Sequence, residues 1–171
     1  MTGVYPYNIF FGEKTDLLAQ NKNLNKIWQP DINQKILEMI EMAMENETEN
    51  KNYYEKLARK INNKTDAQIL NQMSADAKKH CQYLKLIYKK IADREPKNFN
   101  SGDKILKFSD DLSDDFSNLM LRELDEIEIY QRLVNLFSDL KIRDMLCEII
   151  CCKQSNATKL NYLYTKYNLA D

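Results

Sequence analysis

Glycine and proline are scarce in this sequence, which contains three of each in 171 residues. Tight turns depend on those two residues, so their scarcity argues against a β-rich or loop-rich protein. Good helix formers such as Leu, Lys, Glu, Met and Gln are abundant instead. A chain of this length is typical of one domain with its own core. We therefore expect a single all-α domain.

Two further absences bear on partners. No apolar run approaches the roughly 18 residues of a membrane-spanning helix, and the start MTGVYPYNIFFGEKT lacks the pattern of a signal peptide. Neither charge sign predominates, since 25 Lys and Arg balance 26 Asp and Glu. That balance gives no field suited to nucleic acid or to an anionic membrane. These features favour a cytoplasmic protein that binds neither.

Four long segments carry a stripe of residues at alternating steps of three and four, which predicts four amphipathic helices. The first two stripes are Ile36, Ile40, Ala43, Glu47, Asn50, Tyr54, Leu57 and Ile61, then Leu70, Met73, Ala77, His80, Leu84, Ile87 and Ile91. The last two are Leu112, Phe116, Leu119, Glu123, Glu126, Tyr130, Leu133 and Phe137, then Leu146, Ile149, Lys153, Asn156, Leu160, Leu163 and Tyr167. Such steps are typical of helices packed side by side in a bundle.

The connections between these helices differ in length. NNKT and FSDLK are short breaks, whereas DREPKNFNSGDKILKFSDD, between the second and third helices, is far longer than a hairpin needs. A loop of that length in a compact domain predicts a crossover along the bundle. Asp31 and Thr65, each followed three residues later by Gln, have the spacing of capping boxes at helix starts. We predict a four-helix bundle over residues 31–171 and a short aromatic-rich N-terminal arm over residues 1–30.

The two halves of the chain match each other at an offset of 76 residues. Adding 76 takes Glu47 to Glu123 and Tyr54 to Tyr130. The helical hairpin therefore occurs twice, and we expect a pseudo-twofold axis through the bundle.

Each stripe is also interrupted at its middle by a pair of residues three positions apart. The four pairs are Glu47 and Asn50, Ala77 and His80, Glu123 and Glu126, and Lys153 and Asn156. Pseudo-twofold packing would bring them into one central layer. Because ionisable groups are rarely buried alone, such a layer must be paired internally or bind a cation.

This pattern resembles the ferritin-like superfamily, especially its rubrerythrin-type branch, over roughly residues 32–167. The resemblance implies a four-helix bundle in which two helices each give one Glu, and the other two a Glu-x-x-His, to a pair of iron or manganese ions. Glu47 in NETENKNYY and Glu123 in LRELDEIEIY match the two bridging carboxylates. Glu126 resembles the additional carboxylate of rubrerythrins on the third helix. Family analogy also implies a homodimer.

Several of the family's ligand positions are changed in this chain. DAKKH matches Glu-x-x-His only at His80, with Ala77 in the Glu position, and KQSN has Lys153 and Asn156 in the Glu and His positions. The chain has one histidine in total, so a di-metal centre with two histidines cannot be built. Ferroxidase or peroxide-reducing di-iron chemistry is therefore not expected.

Two functions remain open from the sequence. In the first, the protein is a non-catalytic structural or interaction protein without a cofactor, and Lys153 pairs with Glu47 and Glu123 in place of metal. In the alternative, it is a metalloprotein with a redox or oxidative-stress role that binds a single Fe, Mn or Zn ion. The ligands would then be Glu47, His80, Glu123 and Glu126.

The cysteines Cys81, Cys147, Cys151 and Cys152 have no spacing of a disulfide framework, and we expect reduced thiols. Cys152 directly precedes Lys153 in the chain, and a neighbouring lysine could lower the pKa of a thiol. The helical register favours half-buried, inert thiols at Cys81 and Cys152, with Cys147 and Cys151 facing outward.

Overall fold

A computed structural model describes residues 30–97 and 108–169 of the chain. These residues form four α-helices and no strand: α1 Pro30–Lys60, α2 Lys64–Ala92, α3 Leu112–Leu136 and α4 Leu140–Asn168. The all-α prediction is confirmed. The predicted arm lies, apart from Pro30, outside the described residues.

Three of the helices begin at a side chain that accepts hydrogen bonds from the first turn. Asn63 Oδ1 caps α2 by accepting from the backbone N–H groups of Thr65 and Asp66, at 3.0 and 3.1 Å. The prediction that Thr65 caps this helix is therefore wrong by two residues, because the helix already begins at Lys64 and Asn63 accepts from its first free N–H groups. Asp111 and Asp139 cap α3 and α4 in the same way.

The interior consists of two apolar clusters, each built from all four helices. The first combines the N-terminal halves of α1 and α4 with the C-terminal halves of α2 and α3, and it includes Ile40, Met44, Leu84, Leu133 and Ile149. The second combines the opposite halves and includes Leu57, Leu70, Met73, Phe116 and Leu160. Helices that follow each other closely in the chain are thus antiparallel. The middle of every helix lies between the clusters.

The same arrangement explains the long connection between α2 and α3. α2 ends beside the first cluster, which holds Leu84 and Ile87, and α3 begins beside the second cluster, which holds Phe116. Residues 93–111 therefore join opposite ends of the bundle, as the predicted crossover requires. Residues 98–107 lie outside the described part of the chain. No helix within the described ranges has an apolar stretch long enough to cross a membrane.

Candidate functional site

A layer of polar side chains separates the two apolar clusters. None of them is more than 4% exposed. We call this set the central polar layer: Glu47, Asn50, His80, Glu123, Glu126, Lys153 and Asn156. Ala77, also buried, takes the remaining position on α2. The structure thus brings together all the site residues that the sequence predicted.

The hydrogen bonds of this layer follow the 76-residue repeat. The Tyr54 hydroxyl donates to Glu123 Oε1, and the Tyr130 hydroxyl donates to Glu47 Oε1 at 2.7 Å. Each tyrosine therefore donates to the glutamate of the other half of the chain, as expected if a twofold axis relates the two halves. Both tyrosines have pKa values raised well above the ordinary range, by burial first and then by the glutamates, so both remain hydrogen-bond donors.

Lys153 occupies the centre of the layer. Its Nζ lies 3.0 Å from Glu47 Oε1, 3.5 Å from Glu123 Oε2 and 2.5 Å from Glu126 Oε2. The side chain is 1% exposed, so these three carboxylates replace the water that an ammonium would otherwise bind. Burial would lower the pKa of Lys153, but the three glutamates outweigh burial and raise it. The lysine is therefore charged.

The carboxylates of Glu47 and Glu123 are equivalent in sequence but differ in electrostatics. Burial would raise the pKa of Glu47, but Lys153, the neighbouring His80 and the Tyr130 hydroxyl bring it to about 2. Burial also raises the pKa of Glu123, and there the more distant Lys153 and the Tyr54 hydroxyl do not reverse the shift. The lysine thus favours the ionised form at Glu47, while Glu123 is shifted towards its neutral form.

Arg122 extends the layer towards solvent, and sequence reasoning missed it. Its Nε lies 3.1 Å from Glu126 Oε1, and its Nη2 lies 2.9 Å from Glu49 Oε2. Its side chain is 31% exposed. The available signal was its position four residues before Glu126, a spacing at which helical side chains meet. Glu126 consequently contacts two cations, Lys153 and Arg122.

Two polar atoms of the layer have no hydrogen-bond partner: His80 Nδ1 and Asn50 Oδ1. His80 Nδ1 lies 3.3 Å from Glu47 Oε1 without forming a hydrogen bond to it. Asn156, at the family's second histidine position, accepts a hydrogen bond through Oδ1 from Lys159 of its own helix at 3.3 Å. An asparagine there supplies no imidazole ligand.

The donor set does not fit the family's metal pair. A lysine ammonium lies among the three carboxylates, and Ala77 supplies no ligand on α2. Within residues 30–97 and 108–169, no group of three or more His, Cys, Asp or Glu side chains is arranged to hold a metal ion. A cation that is part of the chain takes the position at which a metal would have to bind these oxygens.

The four cysteines are free thiols. Burial raises the pKa of Cys81, and burial together with Asp76 raises the pKa of Cys152 to about 12. The possibility that Lys153 activates Cys152 is therefore wrong, because the ammonium points into the layer and the thiol lies at the edge of the helix near Asp76. Cys147 and Cys151 are exposed, as the register predicted.

The two antiparallel helix pairs, α1 with α2 and α3 with α4, the long crossover and the central layer define a ferritin-like four-helix bundle. A protein-family model described as Rubrerythrin matches residues 38–145, more than half of the chain. The chain belongs to the rubrerythrin family.

Structural comparison agrees at the level of the fold. A hypothetical protein from Pyrococcus furiosus is similar, with a TM-score of 0.68 and 16% sequence identity, over 80% of this chain and 92% of the other. No curated protein matches the sequence.

Proposed function

We propose that this protein is a metal-independent member of the rubrerythrin family with a structural or interaction role, in which Lys153 replaces the metal. The observation that supports this is the contact of one buried ammonium with Glu47, Glu123 and Glu126, all within 3.5 Å. A metal pair neutralises the bridging carboxylates of the family, and here the neutralising charge belongs to the chain itself. The folded state then needs no metal supply.

Arg122 supports the same proposal. Its guanidinium contacts Glu126 from the outer side, while Lys153 contacts Glu126 from the inner side. Two cations of the chain, Lys153 and Arg122, therefore contact the buried carboxylates. Burial raises the pKa of the third carboxylate, Glu123, so burial opposes its charged form while Lys153 favours it.

The experiment is a metal analysis of the full chain, purified without chelator from cells supplied with iron, manganese and zinc. We expect no stoichiometric metal and the same thermal unfolding midpoint with and without EDTA. Anything that binds only the folded state raises that midpoint. A chelator-sensitive midpoint with one bound ion per chain would therefore sink the proposal.

A second candidate rests on His80. Its Nδ1 is buried, lacks a hydrogen-bond partner and lies 3.3 Å from a carboxylate oxygen of Glu47. That pair could belong to a site for one Fe, Mn or Zn ion, with Glu123 and Glu126 as further ligands and a redox or oxidative-stress role. Lys153 would first have to leave the carboxylates. Bound metal that disappears in His80→Ala would select this candidate.

The proposed location is the cytoplasm, and the proposed assembly is a homodimer. The first is supported by four cysteines that lack the spacing of a disulfide framework. The second rests on family analogy, which by itself does not identify a surface.

A further inference from the structure

Two cysteines of α4 are exposed to solvent. Cys147 and Cys151 are free thiols, and neither belongs to the two apolar clusters. Free cysteine is among the residue types most often buried, because it behaves as a small apolar side chain. Packing in the core therefore explains neither of these two residues.

Cys147 and Cys151 also lie on the same side of the helix. They are four residues apart within the continuous helix Leu140–Asn168. Their side chains are therefore separated by about 40° around the helix axis and by about 6 Å along it. Residues at this spacing are neighbours on a helix surface, with Cβ atoms about 5–6 Å apart. Both thiols can thus reach one atom placed between them.

That separation decides how the two thiols can be joined. A disulfide needs Cβ atoms about 3.5–4.5 Å apart and an S–S bond of about 2.05 Å, so it cannot form while the helix stays intact. A bound metal ion spans a longer distance, since two metal–sulfur bonds of about 2.3 Å hold sulfur atoms up to about 4.6 Å apart. The spacing therefore excludes an internal disulfide and suits one bridging ion.

The third cysteine of this segment is not part of the pair. Cys152 is adjacent to Cys151, and consecutive side chains on a helix point about 100° apart and do not face each other. Burial, together with a hydrogen bond to the Asp76 carboxylate, raises the pKa of the Cys152 thiol to about 12. Cys152 therefore keeps its proton, whereas a metal ligand must be a thiolate.

We propose that Cys147 and Cys151 together bind one copper(I) ion on the outer side of α4. Thiolates are soft ligands, and copper(I) is a soft ion for which two of them suffice. In the described part of the chain no third His, Cys, Asp or Glu is arranged with them around one ion, so zinc, which takes four ligands, does not fit. Each thiol gives its proton to water as its copper–sulfur bond forms, and no electron is transferred. The ion lies at the surface, so the bundle does not need it to fold.

The first experiment titrates the reduced full chain, without oxygen, with copper(I) held by the chelator bicinchoninate. We expect the parent to take one copper(I) from the chelator and to show the ultraviolet absorption of a copper–thiolate bond. Cys147→Ser and Cys151→Ser should each lower the affinity by at least about tenfold, while Cys152→Ser, the matched control, should leave it unchanged. No transfer of copper to the parent, or equal losses in all three variants, would overturn the proposal.

A second experiment moves one of the thiols along the helix. In the Cys151→Ser background, Asp144→Cys places a thiol three residues before Cys147, on the same side of α4, and should restore copper binding. Gln154→Cys places the thiol seven residues after Cys147, about 10.5 Å along the axis, and should not restore it. Both positions are exposed, so neither change disturbs the core. Rescue by both variants, or by neither, contradicts the proposal.

A last variant separates this site from the central polar layer. His80→Ala removes the one imidazole of the chain and should retain the copper. Copper that is lost in His80→Ala but kept in Cys151→Ser would place the ion in the layer instead. The copper site of α4 and the metal independence of the layer can therefore fail separately.

Discussion

Asn50 and Glu126 are equivalent residues of the two chain halves, and they are hydrogen-bonded to each other, from Nδ2 to Oε2 at 2.9 Å. A residue can touch its own counterpart only close to the pseudo-twofold axis. That axis therefore passes through the central polar layer. Lys153 binds the same Glu126 oxygen and has no counterpart, since Ala77 takes the equivalent position. The layer is therefore symmetric at Glu47 and Glu123, whereas the charged Glu126 and Lys153 have the uncharged Asn50 and Ala77 as their counterparts.

Replacing the central cation should be costly. Lys153→Met keeps much of the side-chain volume but leaves three buried carboxylates without their ammonium. Removing one partner of a buried pair typically lowers the free energy of unfolding by about 3–5 kcal/mol, and we expect a loss of that size in chemical denaturation. Lys141→Met, at an exposed position on the same helix, is the control and should stay within about 0.5 kcal/mol of the parent.

The two symmetry-related glutamates should respond differently to the same change. Glu47→Gln removes an ionised carboxylate 3.0 Å from Lys153, and we expect a loss of about 2–4 kcal/mol in unfolding free energy. Glu123→Gln should cost less than about 1.5 kcal/mol. Its pKa is raised towards the neutral form, and an amide oxygen still accepts from Tyr54. Equal costs for the two variants would show that the lysine does not distinguish the halves.

Stability should fall with acidity in a defined window. The folded-state pKa of Glu47 is about 2, against an ordinary value of 4.5, so the unfolded chain binds a proton first as the pH drops. The contribution of Glu47 is therefore complete above pH 4.5 and is lost as the pH falls towards 2. Unfolding free energies measured across this range should decline for the parent. In Glu47→Gln the part of this decline that comes from protonation of Glu47 should be absent.

The layer could be predicted from the sequence because polar residues interrupt each apolar stripe at its middle. Residues at the same position in all four stripes are expected to lie at the same depth in the bundle. Lys153 was expected to pair with Glu47 and Glu123, and its ammonium contacts both carboxylates. Its shortest contact, to Glu126, depends on how far α3 and α4 are rotated against each other, which no stripe specifies. Arg122 was missed because an arginine four residues before a glutamate looks like any solvated helical pair. The cap at Asn63 was missed because Thr65 offered an equally good local pattern.

The tyrosine hydroxyls should stabilise the layer through their glutamates. Tyr130→Phe removes the 2.7 Å hydrogen bond to the ionised Glu47, and bonds to charged groups contribute about 1.5–3 kcal/mol. Tyr54→Phe removes the bond to Glu123, and we expect a smaller effect there. A double-mutant cycle of Tyr130→Phe with Glu47→Gln should give a coupling of at least about 1 kcal/mol. Additive losses would show that the hydroxyl acts only by packing.

Restoring the family's ligands should restore metal binding. The Lys153 side chain reaches the three carboxylates, so position 153 points into the layer, and the repeat places Ala77 at the equivalent position. The triple variant Ala77→Glu, Lys153→Glu and Asn156→His completes two Glu-x-x-His pairs with His80. We expect it to bind iron or manganese and to gain thermal stability from the metal, because only the folded state assembles the site. Lys153→Glu alone adds a fourth buried carboxylate without a second imidazole, so it should be unstable without metal and bind it weakly. If the triple variant also fails to bind metal while remaining folded, the layer is not a former metal site.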